Sequence, residues 1–127
     1  MKNTIKTFKD LEVWKESRVL VKQVYLLTQL FPDSEKFGLT IQMRRCAVSI
    51  ISNIAEGMGR NSLKETIQFL HIARGSIYEL ETQLIIGNDL GFYGIAESQS
   101  ILDQLDLVQK LLFGFLKHIN NKLLNTT

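Results

Sequence analysis

Arginines and lysines are the side chains of this sequence whose types and spacing suit binding chemistry, and two of them are adjacent. Arg44 and Arg45 lie inside the mostly apolar stretch IQMRRCAVSIISNIAEGMGR, residues 41–60. At about 100° per residue on a helix, Arg45 falls on the polar side, whereas Arg44 falls along the apolar flank of Val48 and Ile51. We therefore expect Arg45 to contact phosphates and Arg44 to have a structural or interface role.

Three basic residues near the start of the chain form a stripe. Lys15, Arg18 and Lys22 lie within about 60° of one another on a helical wheel. Such a stripe can follow a phosphate backbone, although an ordinary solvated helix face is the alternative. We predict that Lys15, Arg18, Lys22, Arg45 and Arg60 contact nucleic-acid phosphates, with little readout of bases.

A second set of charged residues lies on an apolar flank further along the chain. Arg74 and Glu81 share one side of a predicted helix with Tyr78. A charge pair in such a place could serve acid–base chemistry. It more often belongs to a paired structural network, because unpaired buried charge is costly. We predict structural or interface roles for Arg74, Tyr78 and Glu81, and likewise for Arg44 and Glu56.

Signatures of catalysis are weak. His71 and His118 belong to different predicted helices and do not form a two-histidine metal motif. Cys46 lies on a core-facing stripe, where a small buried hydrophobe is expected. The segment Gly57–Arg60 follows a helix and lacks the GK[ST] ending of a phosphate loop, so it is interpreted as a helix end and turn. An enzyme using Glu56 and Arg44 in a cleft is disfavoured, since no nucleophile, base and orienting group can be assembled. We predict no enzymatic activity and no catalytic, metal-binding or cofactor-binding residues.

The elements that position these side chains are helices. Asp10 has the place of an N-cap, Phe31-Pro32 ends the first apolar pattern, and Ser62 and Glu65 have capping-box spacing. The fold class predicted is all-α, a single domain over residues 1–127 that forms an up-down-up-down antiparallel four-helix bundle. Apolar spacing of three and four residues predicts helices over approximately 10–31, 39–57, 62–90 and 95–123.

Each predicted helix has a stripe that should face the core. The stripes are Val13, Ser17, Leu20, Val24, Leu27 and Phe31; Met43, Cys46, Ala47, Ile50 and Ile54; Leu63, Leu70, Ala73, Ile77, Leu80 and Leu84; and Ile101, Leu105, Val108, Leu112, Phe115 and Ile119.

Apolar residues also extend well outside these stripes. A bundle helix needs an apolar face only about 100° wide. Self-association would bury the surplus, and scattered exposed apolar residues are the alternative. We predict a homo-oligomer. The surplus residues are Trp14, Val19, Val21, Tyr25 and Leu26 in the first helix, and Ile67, Ile72, Tyr78, Ile85, Ile86 and Leu90 in the third.

Charge and composition set the remaining bounds. The net charge of the 127 residues is +2, but residues 1–60 carry ten basic against six acidic residues, and residues 61–127 carry five against seven. This bias permits binding of a polyanion without requiring it. A single cysteine, no signal-peptide pattern and no apolar run near the ~20 residues of a membrane span favour a cytoplasmic protein without a membrane role.

Three motifs together carry a family resemblance. FKDLEVW (residues 8–14), FPDSEKFGLTIQMRRCAVSIISNIAEGMGR (31–60) and FLHIARGSIYELETQL (69–84) resemble the 23S rRNA intervening-sequence proteins. These four-helix-bundle proteins are encoded within intervening sequences of bacterial large-subunit rRNA genes and elsewhere in bacterial genomes. The resemblance implies a ring-like homopentamer in the bacterial cytoplasm. It also implies kinship with the accessory variability protein of diversity-generating retroelements, a basic pentamer to which nucleic-acid binding beside a reverse transcriptase is ascribed.

The function predicted from these observations is non-enzymatic. The protein is expected to self-assemble and to bind RNA or DNA through phosphate contacts, with no cofactor. The alternative is a protein–protein scaffold or an accessory subunit, for example of a reverse transcriptase, without a direct role in nucleic-acid binding.

Overall fold

The computed structural model describes residues 6–126, and every regular element in that range is helical. Short 3-10 helices at Phe8–Asp10 and Asp33–Glu35 precede the first two of four α-helices. The all-α prediction is confirmed. The α-helices are α1 (Glu12–Thr28), α2 (Leu39–Met58), α3 (Leu63–Asp89) and α4 (Ile95–Thr126).

The four helices pack in a cycle. Helix α1 contacts α2 and α4, α2 contacts α3, and α3 contacts α4. The end of α1 meets the start of α2 where Arg44 bonds to Thr28, and the end of α2 meets the start of α3 where Thr66 bonds to Gly57. These contacts are consistent with the predicted up-down-up-down arrangement. Over residues 6–126, no helix combines the length and the apolar character that crossing a membrane requires.

Helix α1 is shorter at both ends than the predicted range 10–31. Asp10 is not its N-cap. The Asp10 carboxylate instead accepts from the backbone N–H groups of Lys6 (2.8 Å) and Thr7 (3.1 Å), and so completes a capping box around the preceding 3-10 helix. At the other end, Phe31 precedes Pro32, which disfavours helical backbone. The chain therefore leaves α1 at Thr28 and turns through bonds such as Phe31 N–H to the Thr28 carbonyl (3.2 Å).

The other helix ends lie close to the predicted ones. Ser62 caps α3, since its hydroxyl accepts from the Glu65 N–H at 3.2 Å. Helix α2 ends at Met58 and the Gly59 N–H bonds back to Glu56, so the glycine-rich segment is a helix end, as interpreted from the sequence. Gly91, with φ of 76°, makes the turn before α4. Helix α4 continues three residues beyond the predicted end, to Thr126.

The predicted stripes form the core, with two differences. Leu63 is only half-buried. In α4, Leu116 is buried (4% exposed) and the predicted Phe115 is half-buried at the edge of the core. The seam of α4 continues from Leu112 by a step of four rather than three, which turns Phe115 toward the flank.

Helices α2 and α3 approach closely through small residues. A Cβ on Gly57 would lie 3.1 Å from the Phe69 Cβ. Further along the contact, the hydroxyls of Ser49 and Ser76 are 3.0 Å apart, and the Cys46 thiol donates to the Ser76 carbonyl at 3.0 Å.

Candidate nucleic-acid interface

The predicted basic stripe lies on the outer face of α1. Lys15, Arg18 and Lys22 are all exposed, on the side opposite the buried stripe of the same helix. The Lys15 ammonium is 3.7 Å from the Glu12 carboxylate, and the Arg18 guanidinium lies 5.8 Å from the centre of the Trp14 ring. The structure therefore places these three cations together, over about 10 Å of helix.

Arg44 links α2 to α1. Its Nε–H donates to the Thr28 hydroxyl at 2.8 Å and an Nη2–H donates to the Tyr25 carbonyl at 3.5 Å. The guanidinium also lies 4.7 Å from the centre of the Tyr25 ring. The side chain is half-buried and fixed in position by these contacts. This location matches the apolar-edge placement expected from the sequence, and the structural role itself remains a prediction.

A cleft opens beside Arg44, between the end of α1 and the start of α2. Its volume is about 600 Å³. We call it the Phe37 cleft, after an aromatic side chain that is 85% exposed. Three of the lining residues are cationic and none is acidic. The lining residues are Tyr25, Lys36, Phe37, Thr40, Ile41, Arg44, Arg45, Val48 and Ser49.

The stripe on α1 and the Phe37 cleft are continuous. Lys22 and Tyr25 are neighbours at i,i+3, about 5–6 Å apart between Cβ atoms, and Tyr25 contacts Arg44. We call the resulting set the basic surface. It comprises Lys15, Arg18, Lys22, Lys36, Arg44 and Arg45.

Sequence reasoning missed Lys36 and Phe37 as functional candidates. They lie between helices, where periodicity gives no signal. One signal could have identified them. Phe37 lies beside a lysine and outside the apolar stripes of both neighbouring helices, so it is not expected to be part of the core. The sequence places Tyr25 on an apolar flank of α1 and does not indicate that it lines this cleft.

Arg60, predicted to join the phosphate contacts, lies elsewhere. It follows the far end of α2, more than 20 Å along the helix axis from Arg45 at about 1.5 Å per residue. Its Nη2 is 2.7 Å from the Glu56 carboxylate and its guanidinium lies 4.5 Å from the centre of the Phe69 ring. Glu56 is exposed and pairs with a residue one turn further along the chain, and its structural or interface role stays a prediction. The i,i+4 spacing of Glu56 and Arg60 explains this local pair.

The charged flank of α3 does not form the predicted paired network. Within residues 6–126 the three ion pairs are Glu12–Lys15, Glu56–Arg60 and Asp106–Lys110, so Arg74 and Glu81 are not joined. The two side chains start two helical turns apart, about 10 Å. Arg74 and Tyr78 are exposed and Glu81 is half-buried. If these residues have an interface role, a partner would have to supply the groups that they contact.

Arg74 and Tyr78 line a second depression, between α3 and α4, of about 410 Å³. We call it the Phe113 groove. Phe113 is 66% exposed, and the Lys110 ammonium in the same groove is 2.9 Å from the Asp106 carboxylate. The lining residues are Arg74, Tyr78, Asp106, Gln109, Lys110, Leu112 and Phe113.

Groups with catalytic potential are scattered or buried. His71 lies exposed on α3 and His118 exposed on α4. Burial, reinforced by the nearby Glu79 carboxylate, raises the pKa of the Cys46 thiol to about 12, so it holds its proton at neutral pH. Over the part of the chain that the structure describes, no three histidine, cysteine or acidic side chains gather as metal ligands would.

Most of the surplus apolar residues lie on the surface. Val19, Tyr25, Leu26, Ile72, Tyr78, Ile85, Ile86 and Leu90 are between 42% and 59% exposed. Trp14, Val21 and Ile67 are the exceptions, since they pack against the edge of the core. Ile72, Ile86 and Leu90 fall on one side of α3, with the exposed Glu79 on the same side between Ile72 and Ile86.

The sequence was compared with known proteins and with models of protein families. A search of curated proteins gives no match. A sequence model of the 23S rRNA-intervening sequence protein family matches residues 9–114. The match spans more than four fifths of the 127 residues, including the whole basic surface and most of the core. The chain therefore belongs to the 23S rRNA-intervening sequence protein family.

Proposed function

We propose that this protein is a non-enzymatic nucleic-acid-binding protein that contacts RNA or DNA phosphates through the basic surface. One observation carries the proposal. Five cations lie on adjoining faces of α1 and α2, and Lys36 adds a sixth from the turn between them. Within residues 6–126, only Lys15 among the six is within ion-pair distance of a carboxylate. Cations without a carboxylate partner are free to replace the counterions condensed on a phosphate backbone.

The geometry favours backbone contact over base-specific readout. Lys15, Arg18 and Lys22 present charge along an exposed helix face, and Arg45 adds charge from the adjoining helix. These side chains suit phosphates, which carry no sequence information. Membership of the 23S rRNA-intervening sequence protein family makes rRNA the first ligand to test.

Binding to a labelled rRNA fragment and to duplex DNA, measured by fluorescence anisotropy at low ionic strength, tests the proposal. The wild type is expected to bind both, and the triple variant Lys15→Gln, Arg18→Gln, Lys22→Gln is expected to bind both more weakly. The matched control is Lys64→Gln, Lys117→Gln, Lys122→Gln, which removes three exposed lysines elsewhere and should leave affinity unchanged. If the wild type binds neither the rRNA fragment nor the duplex DNA, the proposal is overturned.

We also propose that the protein self-associates, as a pentamer according to the family resemblance. The supporting observation is a set of exposed apolar residues on one side of α3: Ile86 and Leu90, one turn apart, and Ile72 about 21 Å before them, which are 42%, 59% and 51% exposed. Exposed apolar residues of this kind gain free energy when a partner covers them. Mass photometry should give a mass of five chains for the wild type and a lower mass for Ile72→Lys, Ile86→Lys. A wild-type monomer would contradict self-association.

A scaffold or accessory-subunit function is the second candidate. The same apolar residues would then bind a different protein, such as a reverse transcriptase. A monomeric wild type that binds no nucleic acid would favour this function over the first.

A further inference from the structure

We infer that the Phe37 cleft binds an unpaired nucleotide of single-stranded RNA or DNA, with the base against the Phe37 ring and the phosphate on Lys36, Arg44 and Arg45. The inference rests on the proposed function, because it assigns a ligand to one part of the basic surface. It adds a preference that phosphate contacts alone do not give, namely for strands with accessible bases.

The first observation is the exposure of Phe37. At 85% it exceeds that of every other large apolar side chain within residues 6–126. The turn that carries it is nevertheless fixed by hydrogen bonds on both sides. Lys36 N–H donates to the Asp33 carbonyl at 3.1 Å and Gly38 N–H donates to the Glu35 carbonyl at 2.9 Å. An exposed aromatic ring on a hydrogen-bonded turn is a surface on which nucleic-acid bases can stack.

The second observation is the charge around this ring. The Lys36 ammonium lies 5.7 Å from the centre of the Phe37 ring. Arg44 and Arg45 line the same cleft. The nearest acidic residue in the turn, Glu35, uses its carboxylate to accept the Leu39 N–H at 3.0 Å, at the start of α2. The cleft therefore combines one accessible aromatic face with three cations, which suits an anion that carries a ring.

Arg44 is held in place before any ligand arrives. Its bonds to Thr28 and Tyr25 occupy two of the five guanidinium N–H donors and orient the group over the Tyr25 ring. Holding an arginine in this way reduces the entropy lost when it binds a phosphate. The cleft volume of about 600 Å³ also lies within the range of small-ligand sites.

A nucleotide fits these features better than a second copy of the chain. A subunit contact here would bury three cations, and the lining supplies no acidic group to pair with them. Duplexes keep both faces of their bases stacked, so a base must first be extruded to reach Phe37. Single strands and unpaired ends are therefore the expected ligands.

Fluorescence anisotropy with strands of about 12 nucleotides tests the inference. The probes are single-stranded RNA, single-stranded DNA, a duplex of equal length and an abasic DNA strand with the same phosphates. Phe37→Ala should weaken binding of the two base-bearing single strands about 5- to 100-fold. It should leave the abasic strand and the duplex unchanged, and Phe37→Trp should restore the loss. Phe113→Ala, which removes another exposed aromatic, is the matched control and should bind like the wild type.

The possible results separate the two proposals. If Phe37→Ala binds base-bearing single strands as tightly as the wild type while the α1 triple variant still binds more weakly, the cleft inference is overturned and the proposed function stands. If the wild type binds none of the four probes, both fall. A change in oligomeric mass caused by Phe37→Ala would show a subunit contact and also overturn the inference. Circular dichroism verifies that the Phe37→Ala variant is folded. We expect it to fold because Phe37 is exposed and not part of the core.

Discussion

The Phe37 cleft and the Phe113 groove contain the same kinds of side chain and differ in how their charges are compensated. Each presents an exposed aromatic ring, a tyrosine and at least two cations. In the Phe113 groove, Asp106 neutralises Lys110 at 2.9 Å. In the Phe37 cleft, no acidic residue lies among the lining residues. The same residue types therefore leave three cations without an acidic lining residue in the Phe37 cleft, whereas one of the two cations in the Phe113 groove is ion-paired.

The largest effect is expected when a carboxylate is added to the Phe37 cleft. Val48 lines the cleft and lies three and four residues after Arg45 and Arg44, so Val48→Glu should pair with one or both arginines. Loss of one to two phosphate contacts should weaken binding of single-stranded RNA on the order of 10- to 100-fold at low salt. Val48→Gln is the uncharged control, and equal affinities of the two variants would contradict the comparison.

Packing on α3 offers a second contrast, between its buried and exposed faces. A Cβ on Gly87 would lie 2.8 Å from the Tyr93 ring, whose hydroxyl donates to the Leu84 carbonyl, whereas nothing lies within 4 Å of one on Gly75. Gly87→Ala should lower the free energy of unfolding by about 1–3 kcal/mol. Gly75→Ala should raise it by about 0.5–1 kcal/mol, because alanine favours helix. Urea unfolding measures both, and similar changes would refute the contrast.

Substitutions at Thr28 change how Arg44 is held in position without changing its charge. Thr28→Val removes the hydroxyl that accepts from the Arg44 Nε–H and should reduce the free energy of unfolding by about 1 kcal/mol. Thr28→Ser keeps the hydroxyl and should cost less. Because Arg44 retains its charge, the salt dependence of RNA binding should be preserved in both variants. Equal stability of the two variants in urea would argue against the anchor.

The smallest effect is expected from releasing the charge of the Phe113 groove. Asp106→Asn frees Lys110 and should raise affinity for single-stranded RNA by a few-fold, corresponding to about one added phosphate contact. Asp103→Asn makes the same change in net charge without freeing an ion-paired lysine, since Asp103 accepts from Gln99. Equal gains in the two variants would assign the effect to net charge alone.

Much of the fold could be predicted because apolar spacing is a local property. Val13 to Leu27 in α1 and Met43 to Ile54 in α2 alternate by three and four residues, and these stripes are buried. Errors arose where tertiary contacts decide. Phe115 and Leu116 are both apolar, so only the packing of α4 chooses between them. Asp10 serves a 3-10 helix that periodicity cannot reveal.

The candidate site could be predicted only in part. The wheel grouped Lys15, Arg18 and Lys22 correctly because they share one helix. A helical wheel cannot show that Lys36 and Phe37 lie beside Arg45, because this proximity depends on how the turn between α1 and α2 folds back. Arg60 was predicted to contact phosphates together with these residues, but the length of α2 separates it from them.

Binding through the basic surface is tested most directly by the salt dependence of the affinity for RNA. For the wild type, we expect the logarithm of the association constant to fall linearly with the logarithm of the salt concentration. Contacts by the six cations of the basic surface give an expected slope of about −4 to −5. The triple variant at Lys15, Arg18 and Lys22 should have a slope about 2–3 units shallower. A wild-type slope near zero, or equal slopes for the two proteins, would contradict binding through the basic surface.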